Sequence, residues 1–142
     1  MDKKIVTFDF DATLSRPDVQ EYAKELIEKG IDVWVVTARY DDLHTHLYDQ
    51  YYGDNPNDDL YEVVDRLGIP RGKVRFNNLH LKYQFLANTN IIWHLDDSKL
   101  ELAAMKDAGV KTKGIQVESG TWKSKCNKLL GLTDKKEENV KE

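Results

Sequence analysis

The sequence predicts an α/β domain in which helices cover both faces of a five-stranded parallel sheet. Three observations carry this. Short runs of β-branched and aromatic residues alternate along the chain with segments of helical periodicity, the pattern of successive βαβ units. Several of these runs are apolar at consecutive positions rather than at alternate ones, as strands covered on both faces are. The 142 residues, 40% hydrophobic and 32% charged, are enough for one core and too few for two.

The elements follow in order. Lys4 to Phe10 reads as a buried strand. Asp18 to Lys29 carries Val19, Tyr22, Ala23, Leu26 and Ile27 at helical spacing, between Pro17 and the stop at Gly30. Ile31 to Thr37 is the second strand. Tyr40 to Tyr52 reads as helical although rich in Asp, His and Tyr, and 53–57 is a loop by its Gly, Asn and Pro. A helix over Asp58 to Leu67 ends at Gly68-Ile69-Pro70, and Val74 to Phe76 is a short third strand. Leu79 to Leu86 is expected to be helical, Asn90 to Leu95 a strand, Lys99 to Ala108 a helix stopped by Gly109, Thr112 to Val117 the fifth strand, and Trp122 to Leu130 the last helix. The domain is thus expected over 1–132, with a charged, disordered tail over 133–142. This is a doubly wound, Rossmann-like sheet, and its first strand is expected at the centre.

Composition excludes several classes of function. No apolar run approaches the roughly 18 residues of a membrane span, and the charged start of the chain does not read as a signal peptide. A single cysteine, Cys126, allows no internal disulfide and no cysteine zinc site, which points to a reducing, cytoplasmic setting. The net charge of −4 argues against a nucleic-acid coat protein. The charge is uneven, with 7 Lys/Arg against 16 Asp/Glu in residues 1–70 and 14 against 9 in 71–142, so one acidic and one basic face are possible.

In a doubly wound sheet, ligands bind beyond the carboxyl ends of the strands. The residues there are Asp9 and Asp11, then Thr37 and Arg39, and then Asp96 and Asp97. Each has a plainer reading, since Asp and Ser often begin turns and helices. Asp9, however, lies between Phe8 and Phe10 in an apolar strand, where an unpaired charge is costly. Four carboxylates on one edge repel one another unless a cation sits among them, and Mg²⁺ suits a site of few carboxylates, water and phosphate.

These residues also carry a resemblance. Asp9-Phe10-Asp11-Ala12-Thr13-Leu14 resembles the first motif of the haloacid dehalogenase superfamily of phosphotransferases, Asp-x-Asp-x-Thr after the first strand. Val35-Val36-Thr37-Ala38-Arg39 resembles the second and His94-Leu95-Asp96-Asp97 the fourth, and the match runs from residue 4 to about 118 in order. The third motif is a lysine, for which Lys82 is preferred to Lys99. Ala12 stands where the family most often has Gly. The resemblance implies that Asp9 attacks phosphorus and that Asp11 serves as general acid and then base. Thr37, Lys82 and Arg39 would hold the phosphoryl group. Mg²⁺ would be held by the Asp9 carboxylate, the Asp11 carbonyl and Asp96, with Asp97 as a supporting or alternative ligand.

Only 26 positions separate Asp11 from Thr37 and 45 separate Thr37 from Lys82, which leaves no room for the cap domain common in that superfamily. The layout is loosely similar to the phosphatase domain of polynucleotide kinases, though no kinase P-loop is present. The expected substrate is therefore a phosphate on something large, nucleic-acid 3′-ends first. A nucleotide, another small metabolite or a phosphoprotein would better tolerate the acidic stretch from Asp41 to Asp65. Tyr40, His44, His46, Tyr48, Tyr51 and Tyr52 are candidates to line a substrate groove, or else simply pack a helix. Two rival classes remain: a receiver-type signalling module, and a non-catalytic phosphate- or metal-binding member of the same fold.

Overall fold

The computed structural model describes residues 3–47 and 56–132, the residues to which every statement below refers. Five parallel strands form one sheet: β1 (Ile5–Phe8), β2 (Asp32–Thr37), β3 (Val74–Phe76), β4 (Trp93–Asp96) and β5 (Lys113–Gln116), in the order β3-β2-β1-β4-β5. β1 is central, as expected. The chain winds outward from β1 to β3 and then crosses back to β4 on the other side of β1. This reversal makes the carboxyl ends of β1 and β4 the crevice of the fold.

The helices are α1 (Pro17–Glu28), α2 (Asp42–Leu47), α3 (Asp58–Leu67), α4 (Tyr83–Leu86), α5 (Lys99–Asp107) and α6 (Trp122–Leu130). Strand residues alternate between two apolar clusters. Val6, Phe8, Val33, Val35, Trp93, Leu95 and Ile115 pack with Tyr22 and Leu26 of α1, Leu60 of α3, and Trp122 and Leu130 of α6. The smaller cluster joins Ile5 to Leu86 of α4 and to Leu102 and Met105 of α5. Trp93 anchors the larger one, edge-on to Phe8 at 5.2 Å between ring centroids and 6.4 Å from Tyr22, with its indole N–H donating to the Cys126 carbonyl.

Several boundaries differ from the sequence reading, two of them for a visible local reason. β1 stops at Phe8, because Phe10–Leu14 coils into a helical turn whose Leu14 N–H reaches back to the Asp9 carbonyl at 3.0 Å. The helix expected from Leu79 shrinks to the single turn of α4. Asn78 and Leu79 hold left-handed φ angles of 52° and 68°, which break a helix before it starts. β4 begins at Trp93 rather than Asn90 and extends through Asp96. The expected helix over Tyr40 to Tyr52 is described as far as Leu47, and the rest of it, with the tail over 133–142, lies outside the described residues.

Candidate active site

Asp9 follows β1 directly, and its N–H donates to the Leu95 carbonyl of β4 at 2.8 Å. Its carboxylate is thereby held in the crevice, and the residue is 5% exposed. The turn that follows places the two aspartates differently. Asp11 is extended and Ala12 is left-handed at φ 57°, so the chain swings outward and leaves the Asp11 side chain 61% exposed. Ala12 thus occupies a conformation that glycine adopts without strain, and an alanine there costs about 1–2 kcal/mol.

Lys82 arrives from the loop between β3 and α4. That loop is bonded residue by residue to the loop after β2: the N–H groups of Asn77, Asn78 and Leu79 donate to the carbonyls of Thr37, Arg39 and Ala38 at 2.8, 3.1 and 2.7 Å. The side chain of Lys82 is only 2% exposed, and its Nζ lies 2.8 Å from Asp9 Oδ1 and 2.7 Å from Asp96 Oδ2. Its backbone N–H donates to the buried Glu101 carboxylate at 3.0 Å. The exposed Lys99, at the start of α5, takes no part in this cluster.

Asp96 is fully buried and has three hydrogen-bond partners, which leaves one acceptor site on Oδ1. Oδ2 accepts from Lys82 Nζ and lies 2.7 Å from His94 Nε2, while Oδ1 accepts from the Ser98 N–H at 2.9 Å. His94, two residues earlier on the same strand face, is also fully buried, and its Nδ1 lies 2.8 Å from Thr7 Oγ1 on the neighbouring strand. Burial holds the His94 pKa below its ordinary value against the pull of Asp96.

The charge in this cluster does not balance. Burial alone would raise the Asp96 pKa, but the His94 hydrogen bond and the Lys82 ammonium outweigh it and hold Asp96 ionised. Burial likewise disfavours the ammonium, yet Asp9 and Asp96 together keep Lys82 protonated. One ammonium neutralises one carboxylate, and Asp96 has it. Asp9 is left short: burial, the Asp96 charge and a hydrogen bond with Asp97 push its pKa up to about 9 against the pull of Lys82. One carboxylate oxygen from each of Asp9, Asp96 and Asp97 lies within 4.8 Å of the other two. Three hard oxygen donors short of positive charge fit a divalent cation such as Mg²⁺.

Thr37 ends β2 fully buried, and its Oγ1 accepts from the Arg39 N–H at 3.2 Å, which leaves the hydroxyl proton to donate elsewhere. All five N–H groups of the Arg39 guanidinium are committed: to both oxygens of Asp11 at 2.7 and 2.9 Å, to both oxygens of Asp59 at 2.7 and 2.9 Å, and to the Pro56 carbonyl at 3.2 Å. It holds Asp11 and has no donor left for a phosphoryl group. The crevice therefore brings together Asp9, Lys82, Asp96 and Asp97, with Thr37 on the adjacent strand, while Asp11 and Arg39 pair at its rim. Of the aromatic candidates, Tyr40 and His44 stack 6.1 Å apart beside this rim, and Tyr48, Tyr51, Tyr52 and the His46 side chain lie outside the described residues.

Sequence reasoning missed His94, Glu101 and Asp59. The signal for Glu101 is the spacing Ser98-x-x-Glu101, which ordinarily marks a helix start closed by two reciprocal hydrogen bonds. Ser98 Oγ does accept from the Glu101 N–H at 3.2 Å. The Ser98 N–H, however, goes to Asp96, which frees the Glu101 carboxylate to hold Lys82. Compared with protein-family models, with curated proteins and with solved structures, the chain matches none.

Proposed function

We propose that the chain is a metal-dependent phosphomonoesterase working through an aspartyl-phosphate. The observation that supports this best is a buried carboxylate, Asp9, sharing one ammonium with Asp96 in a crevice one positive charge short of balance.

Asp9 Oδ attacks phosphorus. As that bond forms, the bond from phosphorus to the leaving oxygen breaks, and Asp11 gives the leaving oxygen a proton. Water then attacks the phosphoryl group, Asp11 accepts its proton, and the bond from phosphorus to Asp9 breaks to release phosphate. The Thr37 hydroxyl and the Lys82 ammonium hold the equatorial oxygens as charge builds on them. Mg²⁺, held by the Asp9 and Asp96 carboxylates with Asp97 beside them and the Asp11 carbonyl as a further donor, would supply the missing positive charge for the phosphoryl oxygens. Arg39 fixes the direction of Asp11.

The buried, free thiol of Cys126 supports a reducing cytoplasmic setting, and no helix among the described residues is long and apolar enough to cross a membrane. The test is hydrolysis of p-nitrophenyl phosphate by the purified chain, with Mg²⁺ and with EDTA, beside Asp9→Asn. Magnesium-dependent turnover lost in the variant is expected, with an acid-stable acyl-phosphate trapped on quenching. Binding of phosphate with no turnover would favour a non-catalytic module, and phosphorylation that persists for minutes would favour a receiver.

A further inference from the structure

A cavity of about 340 Å³ opens beside Asp11, walled by Ala38, Tyr40, Pro56 and Leu79. Its position follows from the chain. Ala38 directly follows Thr37, and Leu79 is tied to the Ala38 carbonyl, so the loops that carry the phosphoryl-binding groups also form these walls. A phosphoryl group between Asp9 and Thr37, whose leaving oxygen faces Asp11, directs the rest of its ester here.

The walls describe that remainder. Leu79 is 62% exposed, held outward by its left-handed backbone. The Tyr40 ring is set by its stack on His44, at an interplanar angle of 15°, and His44 is set in turn by Asp41. A fixed aromatic ring and an aliphatic side chain suit a flat, largely apolar group. Charge narrows the choice further. Asp11 lines the cavity, and Asp59 and Asp42 are bonded to its lining residues Arg39 and Asn57. Asp41 holds the His44 ring stacked on Tyr40, while all the N–H groups of the lining Arg39 are committed. A second phosphate would meet these carboxylates, with the Arg39 guanidinium already committed. The volume lies at the low end of ligand cavities, roughly 300–1,000 Å³, which suits one small group and not a strand.

We propose that this cavity receives the leaving group, and that the preferred substrates are nucleoside monophosphates: monoesters whose leaving group is uncharged and ends in a planar heterocycle. The inference rests on the phosphomonoesterase reading. As the bond from phosphorus to oxygen breaks, its electron pair stays on the nucleoside oxygen, Asp11 protonates that oxygen, and the free nucleoside leaves through the cavity.

The experiment compares kcat/KM for a nucleoside 5′-monophosphate, ribose 5-phosphate and a 5′-phosphorylated dinucleotide. All three present the same leaving oxygen, so differences report the cavity alone. The mononucleotide is expected to exceed ribose 5-phosphate by about tenfold or more, the scale of one stacked base, and also to exceed the dinucleotide. Leu79→Asp, in a residue type that tolerates the left-handed conformation, and Tyr40→Ala should each bring the mononucleotide down to the ribose 5-phosphate level. Equal values for mononucleotide and ribose 5-phosphate would overturn the inference and leave the phosphomonoesterase reading standing, and a better dinucleotide would overturn it in favour of strand ends. Hydrolysis of none of these, nor of p-nitrophenyl phosphate, would remove the phosphomonoesterase reading. The cavity is then judged by NMR titration with the unphosphorylated nucleoside: shifts confined to its walls and lost in Leu79→Asp uphold it, and their absence overturns it.

Discussion

Arg39 grips Asp11 through both carboxylate oxygens, Nη2 to Oδ1 at 2.7 Å and Nε to Oδ2 at 2.9 Å. The pair is partly solvent-exposed, so its contribution to stability is about 1 kcal/mol or less. Its value is directional: a planar fork fixes the plane of the carboxylate proposed above as the acid. Arg39→Lys, which keeps the charge and loses the fork, should lower kcat for an alkyl phosphate by about tenfold or more. For p-nitrophenyl phosphate, whose leaving group needs little protonation, the loss should be much smaller. Equal losses on both substrates would show that Arg39 does not act through Asp11.

Asp9→Asn should abolish turnover and also stabilise the metal-free protein, increasingly so as pH rises. The sign follows from the raised pKa. Folding favours the protonated carboxyl, so the wild type is progressively destabilised between the unfolded value, near 3.8, and the folded value of about 9, whereas the carboxamide is indifferent. In EDTA the gap in stability between variant and wild type should widen by at least about 1 kcal/mol from about pH 5 to about pH 8. Thermal melts at both pH values check this, and a constant gap would mean that Asp9 is not short of positive charge.

Lys82→Met removes the ammonium shared by two buried carboxylates and should cost about 3–5 kcal/mol, the scale of breaking a buried pair from one side. Lys99→Ala, on an exposed residue, should stay within about 0.5 kcal/mol of wild type. Added Mg²⁺ should raise the melting temperature of Lys82→Met more than that of wild type, because the cation then supplies all the positive charge in the crevice. Equal responses would separate the metal from this cluster.

His94→Gln should raise the Mg²⁺ concentration needed for half-maximal activity by about tenfold or more, since the imidazole fixes the Asp96 carboxylate from behind. kcat at saturating Mg²⁺ should change far less. A fall in kcat with no change in the metal requirement would place the role of His94 outside metal binding.

The strand and helix alternation, the central first strand and the carboxylates after β1 and β4 were legible in the sequence, because buried parallel strands read as apolar runs and Asp9 interrupts one. What was illegible depends on how separate segments meet. Nothing in the neighbourhood of His94 marks it, and its partner Thr7 lies 87 residues away, facing it only through the register of β1 on β4. Asp59 binds Arg39 from the start of α3, 20 residues further along the chain. The helix expected from Leu79 has acceptable residues for a helix, but Asn78 and Leu79 are left-handed where their N–H groups bond the loop after β2. That contact is invisible in either segment alone.

The ammonium held between Asp9 and Asp96 joins parts of the chain 73 and 14 residues from Lys82. No contiguous fragment shorter than this span can assemble the crevice, and a half-built one would bury a carboxylate without its counter-charge. On the proposed reading, hydrolysis therefore requires the sheet to be assembled across β1 and β4. In a refolding experiment, the return of hydrolysis should coincide with the burial of Trp93, read by its fluorescence, and never precede it.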